Sequence, residues 1–276
     1  MKFKNGFGLT TAVLLPFFND LLEDTLKTIK WAKDNGFSWV EVRDKNVEFS
    51  RCDVEKIRNF ANKLGVRIHY AWDSNDMLKA GNDALFKKAI SNAAVFGKDT
   101  VARLTFANSV FLENSKACGF TQKQADLICE KVISYNRYAL ASGVIPCYEN
   151  AFESLYDIGE EKGFEHFLDR IGFMKMTFDM GNALNKKAGA TYCTPKEAED
   201  FYEKYKSKAP YIHFKTTKNG DMQTTMVMDA DVNFEKYFSL MPKDAWLCVE
   251  IPASETETQT KENIIDALVS MKALDR

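Results

Sequence analysis

The chain is poor in histidine and proline, with three and six among 276 residues, and none of its six cysteines forms a Cys-x-x-Cys pair. Those cysteines are Cys52, Cys118, Cys129, Cys147, Cys193 and Cys248, and two of them sit inside apolar, strand-like runs. This usage implies reduced core residues of a cytoplasmic protein rather than a disulfide framework. No apolar run approaches the roughly 18 residues of a membrane span. Lys2 and Lys4 precede an apolar stretch, but Gly6, Gly8, Thr10, Thr11 and Pro16 interrupt it and no small-residue cleavage site follows, so no secretion signal is expected. A formal net charge of -2 offers no excess of Lys and Arg to neutralise a polyanion, so nucleic acid is not an expected partner. There is no Gly-x-Gly-x-x-Gly after an early strand and no Gly-Lys-Ser/Thr loop, which removes the usual dinucleotide and P-loop readings. No linker, low-complexity tract or short-period repeat divides the chain.

What is present is an alternation of short β-branched runs with long segments of 3.6-residue period, the pattern of a parallel sheet with crossover helices. Eight strands are expected: 6–9, 39–43, 66–71, 100–106, 144–150, 174–179, 211–215 and 246–251. Helix starts are marked by Asp20 with Glu23, by Asp53, by Thr121 with Gln124, and by Thr194 with Pro195 and Glu197; Gly36 and Gly65 mark two helix ends. Eight such units over this length imply one α/β domain, a (β/α)8 TIM barrel spanning 1–276, although a doubly wound open sheet shows the same alternation.

Both faces of a parallel barrel sheet are covered, so a charged residue inside a strand is costly unless it lies at the open end and has a role there. Four late strands break the apolar rule at their carboxyl ends, with Glu149, Asp179, His213 and Glu250. Three carboxylates and one imidazole suit a single Mn²⁺, Mg²⁺, Co²⁺ or Zn²⁺ ion. Lys215 shares strand parity with His213 and is a candidate either to face a substrate oxygen or to pair with a neighbouring carboxylate. Glu41 and Arg43 also share parity and read as a structural ion pair or polar layer. His69 is a candidate substrate contact or a satisfied core histidine, and Phe7, Trp72 and Phe106 are candidate apolar walls for a bound small molecule. His166, within Phe164-Glu165-His166-Phe167, reads as part of an amphipathic helix without a functional role.

The strand-end run Val40-Glu41-Val42, Tyr148-Glu149-Asn150, Phe178-Asp179-Met180-Gly181-Asn182 and His213-Phe214-Lys215 resembles the xylose isomerase-like barrel superfamily of sugar isomerases and epimerases over nearly the whole chain. The resemblance implies one divalent metal held by Glu149, Asp179, His213 and Glu250, with Glu149 and Glu250 also exchanging protons with a small carbohydrate. Epimerases of free ketoses usually carry His three residues after the Asp; this chain has Asn182 there, read as a substrate contact. A dehydratase or lyase of a keto-sugar or inosose starts from the same proton removal and stays open. A zinc-cluster endonuclease of the same superfamily depends on many histidines, and only His69, His166 and His213 exist here. A non-catalytic metal-binding subunit is opposed by the presence of both Glu149 and Glu250. Self-association into a homo-oligomer is left open.

Overall fold

The computed structural model describes residues 2–72, 76–107, 119–151, 153–185, 193–226 and 229–275. Among them are the barrel strands β1 (Phe7–Thr10), β2 (Trp39–Arg43), β3 (Arg67–Ala71), β4 (Thr100–Leu104), β5 (Val144–Glu149), β6 (Lys175–Asp179), β7 (Tyr211–Phe214) and β10 (Trp246–Val249). All pair in parallel and close on themselves in the order β1-β10-β7-β6-β5-β4-β3-β2. The open-sheet alternative is excluded by the β1–β10 pairing, and the fold is a single (β/α)8 TIM barrel over nearly the full chain. Each strand lies within one or two residues of its expected span.

The helices follow the caps that the sequence advertises. Asp20 accepts the Glu23 N–H at 2.9 Å and opens α1 (Leu21–Asp34), while the Thr121/Gln124 and Thr194/Glu197 boxes open the helices Gln122–Ala141 and Pro195–Tyr205. One start differs: α2 (Arg51–Leu64) begins two residues before the expected opener, because Ser50 is the cap and Asp53 is the third helical residue, the partner in its capping box.

The strand register sorts side chains into two cores. Even-numbered residues of β2 to β7 pack outward under the helices, as Val40, Val42, Tyr70, Leu104, Tyr148, Phe178 and Phe214 do. Inside the barrel, Trp39, Val101, Cys147, Tyr211 and Cys248 fill the amino-terminal half. Gly8 makes room for this plug, since a Cβ there would stand 2.2 Å from the Trp39 ring. Above the plug the same inward parity delivers Glu41, Arg43, Arg103, Glu149, Asp179, His213 and Glu250, all buried, to the carboxyl-terminal mouth. A short antiparallel hairpin, β8 (Thr216–Lys218) with β9 (Asp221–Gln223), follows β7 beside that mouth. Asn219 and Gly220 at its tip have φ of 54° and 80°, the left-handed pair that a two-residue type I′ turn needs.

Candidate metal centre

His213 sits two residues below Glu250 in register and directly beside Asp179, because β7 pairs Asp179 with His213 on one side and Cys248 with His213 on the other. Its Nδ1 lies 2.5 Å from Glu250 Oε2, 3.1 Å from Glu149 Oε1 and 3.7 Å from Asp179 Oδ2. One atom from each of the four residues falls within 4.8 Å of the others, so a single small cation could touch all four. Asp179 Oδ2 and Glu250 Oε2 are buried and receive no hydrogen bond of good direction, although ammonium and imidazole nitrogens stand at ion-pair distance. Two buried carboxylate oxygens whose close partners are cationic nitrogens, converging beside one imidazole nitrogen, form a donor set that fits a divalent ion.

Each carboxylate is held in place through its other oxygen. Arg103 binds Glu149 Oε2 at 2.8 Å, and Arg43 binds Glu250 Oε1 at 2.6 Å. Asp179 Oδ1 accepts the Asn182 N–H at 2.7 Å as the cap of the short helix Met180–Leu184, which turns Oδ2 toward the cluster. The Asp179 backbone is clamped by Asn150, whose side chain accepts the Asp179 N–H at 2.8 Å and donates to its carbonyl at 2.9 Å. Asn182 donates to Glu149 Oε1 at 3.3 Å and to the Asn150 carbonyl at 3.1 Å. Lys215 reaches in with Nζ 2.7 Å from Asp179 Oδ2 and 3.2 Å from Glu250 Oε2. Its stem lies on Gly181, where a Cβ would stand 2.5 Å from Lys215 Cβ.

The charges support one another against burial. Burial alone would lower the His213 pKa, but the Glu250, Glu41 and Glu149 carboxylates outweigh it and raise it well above the ordinary range. Burial pushes Glu250 and Asp179 upward, yet His213, Lys215 and Arg43 hold Glu250 well below the ordinary value, and Lys215 with His213 lower that of Asp179. Lys215 is raised because Asp179 and Glu250 outweigh its own desolvation. The lowered values of Asp179 and Glu250 keep these two carboxylates ionised beside nitrogen cations, whose contacts a divalent ion would replace.

The structure thus brings Glu149, Asp179, His213, Glu250, Lys215 and Asn182 together. Two candidates lie elsewhere. His69 belongs to the plug, fully buried, with ring centroids of Trp246, Trp39 and Tyr211 at 4.5, 5.0 and 5.6 Å, and its Nδ1 accepts the Val101 N–H at 2.8 Å. Trp39, Tyr211 and Trp246 are the first residues of their strands, so His69 is a core residue below the mouth and not a substrate contact. Burial lowers its pKa to about 3. Trp72 has the outward parity and packs edge-on against Phe86 of the helix Asp83–Val95, 4.7 Å between centroids. Phe7 and Phe106 also pack outward, on Phe3 and on Phe164 and Phe167 respectively, so none of the three aromatics walls the cluster. His166 lies in the helix Phe164–Arg170, away from the barrel mouth. Arg103 and Asn150 were not singled out from sequence. Arg103 carried the signal, an arginine inside an apolar strand with inward parity, whereas Asn150 looks like any polar residue that ends a strand.

A family model described as xylose isomerase-like TIM barrel matches residues 29–273, and the chain belongs to that family. No curated protein matches it by sequence. Among solved structures it is similar to D-allulose 3-epimerase from Methylomonas sp. in complex with D-allulose, with 13% identity, 99% of each chain covered and a TM-score of 0.68. It is also similar to a sugar phosphate isomerase/epimerase from Parabacteroides distasonis, with 16% identity, 98% of this chain and 94% of that one covered, and a TM-score of 0.67. A xylose isomerase-like barrel from Mycobacterium smegmatis in complex with magnesium shares 14% identity over 94% of this chain and 91% of that one, with a TM-score of 0.65. At these identities the likeness is one of fold.

Proposed function

We propose that this chain is a divalent-metal-dependent isomerase or epimerase of a small carbohydrate, with Glu149, Asp179, His213 and Glu250 holding one Mn²⁺, Mg²⁺, Co²⁺ or Zn²⁺ ion. The observation that carries this reading is the pair of buried oxygens, Asp179 Oδ2 and Glu250 Oε2, that converge on His213 Nδ1 without directed hydrogen bonds. The similar structures that contain D-allulose and magnesium are consistent with it. When bound, the metal supplies Lewis-acid stabilisation of the negative charge that develops on a sugar as it loses a proton beside its carbonyl.

The proton work falls to this chain's own carboxylates. Glu149 and Glu250 come from β5 and from the end of β10, on two sides of the Asp179–His213 pair. A sugar lying between them exposes one face of its carbon to each. One glutamate, as the carboxylate, removes the proton; delivery by the other, entering the step as the protonated acid, to the opposite face inverts the centre, and return of the abstracted proton to the neighbouring carbon interconverts aldose and ketose. Arg103 and Arg43 keep the two carboxylates oriented, so neither must be reorganised during the reaction. Lys215 places a cation beside the cluster, where it can face an enediolate oxygen, and Asn182 offers an amide there. The described cysteines are free, in keeping with a reduced, cytoplasmic setting as part of the same reading.

The test is solvent-deuterium incorporation followed by NMR on ketohexoses, ketopentoses and inosose-type ketones. Glu149→Gln and Glu250→Gln keep the shape of the side chain but remove the base, and each should lower exchange on the order of 10²-fold or more, with circular dichroism unchanged. Exchange at the wild-type rate by both variants on a substrate that is turned over would remove the glutamates from the mechanism.

A further inference from the structure

The sequence reading assigns Glu41 to a structural pair with Arg43, and that pair exists at 3.0 Å. The structure adds a contact of another kind. Glu41 Oε2 lies 3.0 Å from His213 Nε2, and both residues are fully buried. Glu41 is on β2 and His213 on β7, which are not neighbours in the barrel, so the contact crosses the lumen and is not a by-product of strand pairing. The other oxygen, Oε1, accepts from the Thr10 hydroxyl at 2.8 Å and from Arg43.

An imidazole that binds a cation does so through a nitrogen without a proton, and its remaining proton then sits on the other nitrogen. Nδ1 is the nitrogen that faces Glu149, Asp179 and Glu250. The proton therefore belongs on Nε2, and Glu41 Oε2 is the carboxylate oxygen placed to accept it. We infer that Glu41 is a positioning residue of the metal centre: it accepts the His213 Nε2–H, fixes the tautomer that leaves the Nδ1 lone pair for the ion, and holds the ring plane toward the cluster. This inference rests on the metal reading above and adds to it a residue one layer below the ligands.

Glu41→Gln is a sharp perturbation because of what surrounds the two oxygens. Thr10 and Arg43 both donate toward the Oε1 position, so the amide carbonyl settles there and the amide NH2 turns toward His213 Nε2. A donor facing Nε2 favours the opposite tautomer, with the proton on Nδ1 pointing at the metal ligands. Zn²⁺ and Mn²⁺ affinity of the folded variant, measured by calorimetry, should fall about 10- to 100-fold, whereas a purely structural role would lower thermal stability and leave affinity unchanged. The second measurement needs no variant to fold: a long-range ¹H–¹⁵N spectrum of the Zn²⁺-loaded wild-type protein, in which only His69, His166 and His213 contribute, should show His213 protonated at Nε2 and not at Nδ1. Wild-type metal affinity in Glu41→Gln, or a proton on His213 Nδ1 in the loaded protein, overturns the role of Glu41 while leaving the metal site standing. Failure of the wild-type protein to bind either ion overturns both.

Discussion

Replacing Lys215 by methionine separates the charge of this side chain from its packing. The methionine keeps an unbranched stem against Gly181, where the lysine Cβ already lies closer than a Cβ at that glycine would allow. It removes the ammonium that stands 2.7 Å from Asp179 Oδ2 and 3.2 Å from Glu250 Oε2. Removing one partner of a buried ion pair costs about 3–5 kcal/mol, because the remaining charge is left uncompensated. The lower end applies here, since the lysine side chain keeps 15% exposure and water can reach it. At about 2–3 °C per kcal/mol for a chain of this size, metal-free Lys215→Met should melt about 5–10 °C below the wild type. A bound divalent ion supplies the positive charge that the variant lacks, so the metal-induced rise in Tm should be larger in the variant; a tenfold gain in affinity alone adds about 1.4 kcal/mol. Differential scanning calorimetry with and without saturating Mn²⁺ reads both quantities. A metal-free variant as stable as the wild type, or a smaller metal-induced rise, would refute the view that Lys215 and the ion share the same carboxylates.

Other perturbations test separate parts of the account. Gly181→Ala places a Cβ 2.5 Å from Lys215 Cβ and 3.1 Å from Met222 Sδ, so it should cost about 1–3 kcal/mol in chemical denaturation and weaken metal binding; an unchanged unfolding midpoint would contradict the close approach. His69 is held neutral by burial, with a pKa of about 3 against about 6.5 when unfolded, so its contribution is complete above pH 6.5 and is lost as pH falls from there toward 3. Between pH 6 and 5 the wild-type stability should therefore fall about 1.2 kcal/mol more than that of His69→Gln, and parallel curves would show that the histidine protonates freely in the fold.

How far the sequence reaches depends on which layer of the barrel a residue occupies. Glu149, Asp179, His213 and Glu250 were legible because a charge in a strand covered on both faces has few places to be, and all four lie within one residue of their strand ends with the same inward parity. The same rule applies to Arg103, which Thr100-Val-Ala-Arg103-Leu displays plainly in an early strand. Depth was not legible. His69 and His213 are both third residues of short strands, yet the stagger of the barrel puts one in the aromatic plug and the other in the carboxylate cluster at the mouth. Trp72 lies one residue past a strand end, and that single step reverses its face. The hairpin after β7 was announced by Asn219-Gly220 between polar, β-prone residues, a signal of turn type that strand counting passed over.

The central claim is that four strand ends build one metal site, and metal content measures it most directly. Purified protein equilibrated with Mn²⁺, Co²⁺, Mg²⁺ or Zn²⁺ and freed of excess ion should retain about one ion per chain by elemental analysis, as a single complete donor set requires. Asp179→Asn and His213→Ala should each lower the affinity by at least about tenfold, because each removes a bond and the geometry that the remaining ligands share. Wild-type protein that retains none of the four ions, or that binds them equally well without Asp179 and His213, would contradict the site described here.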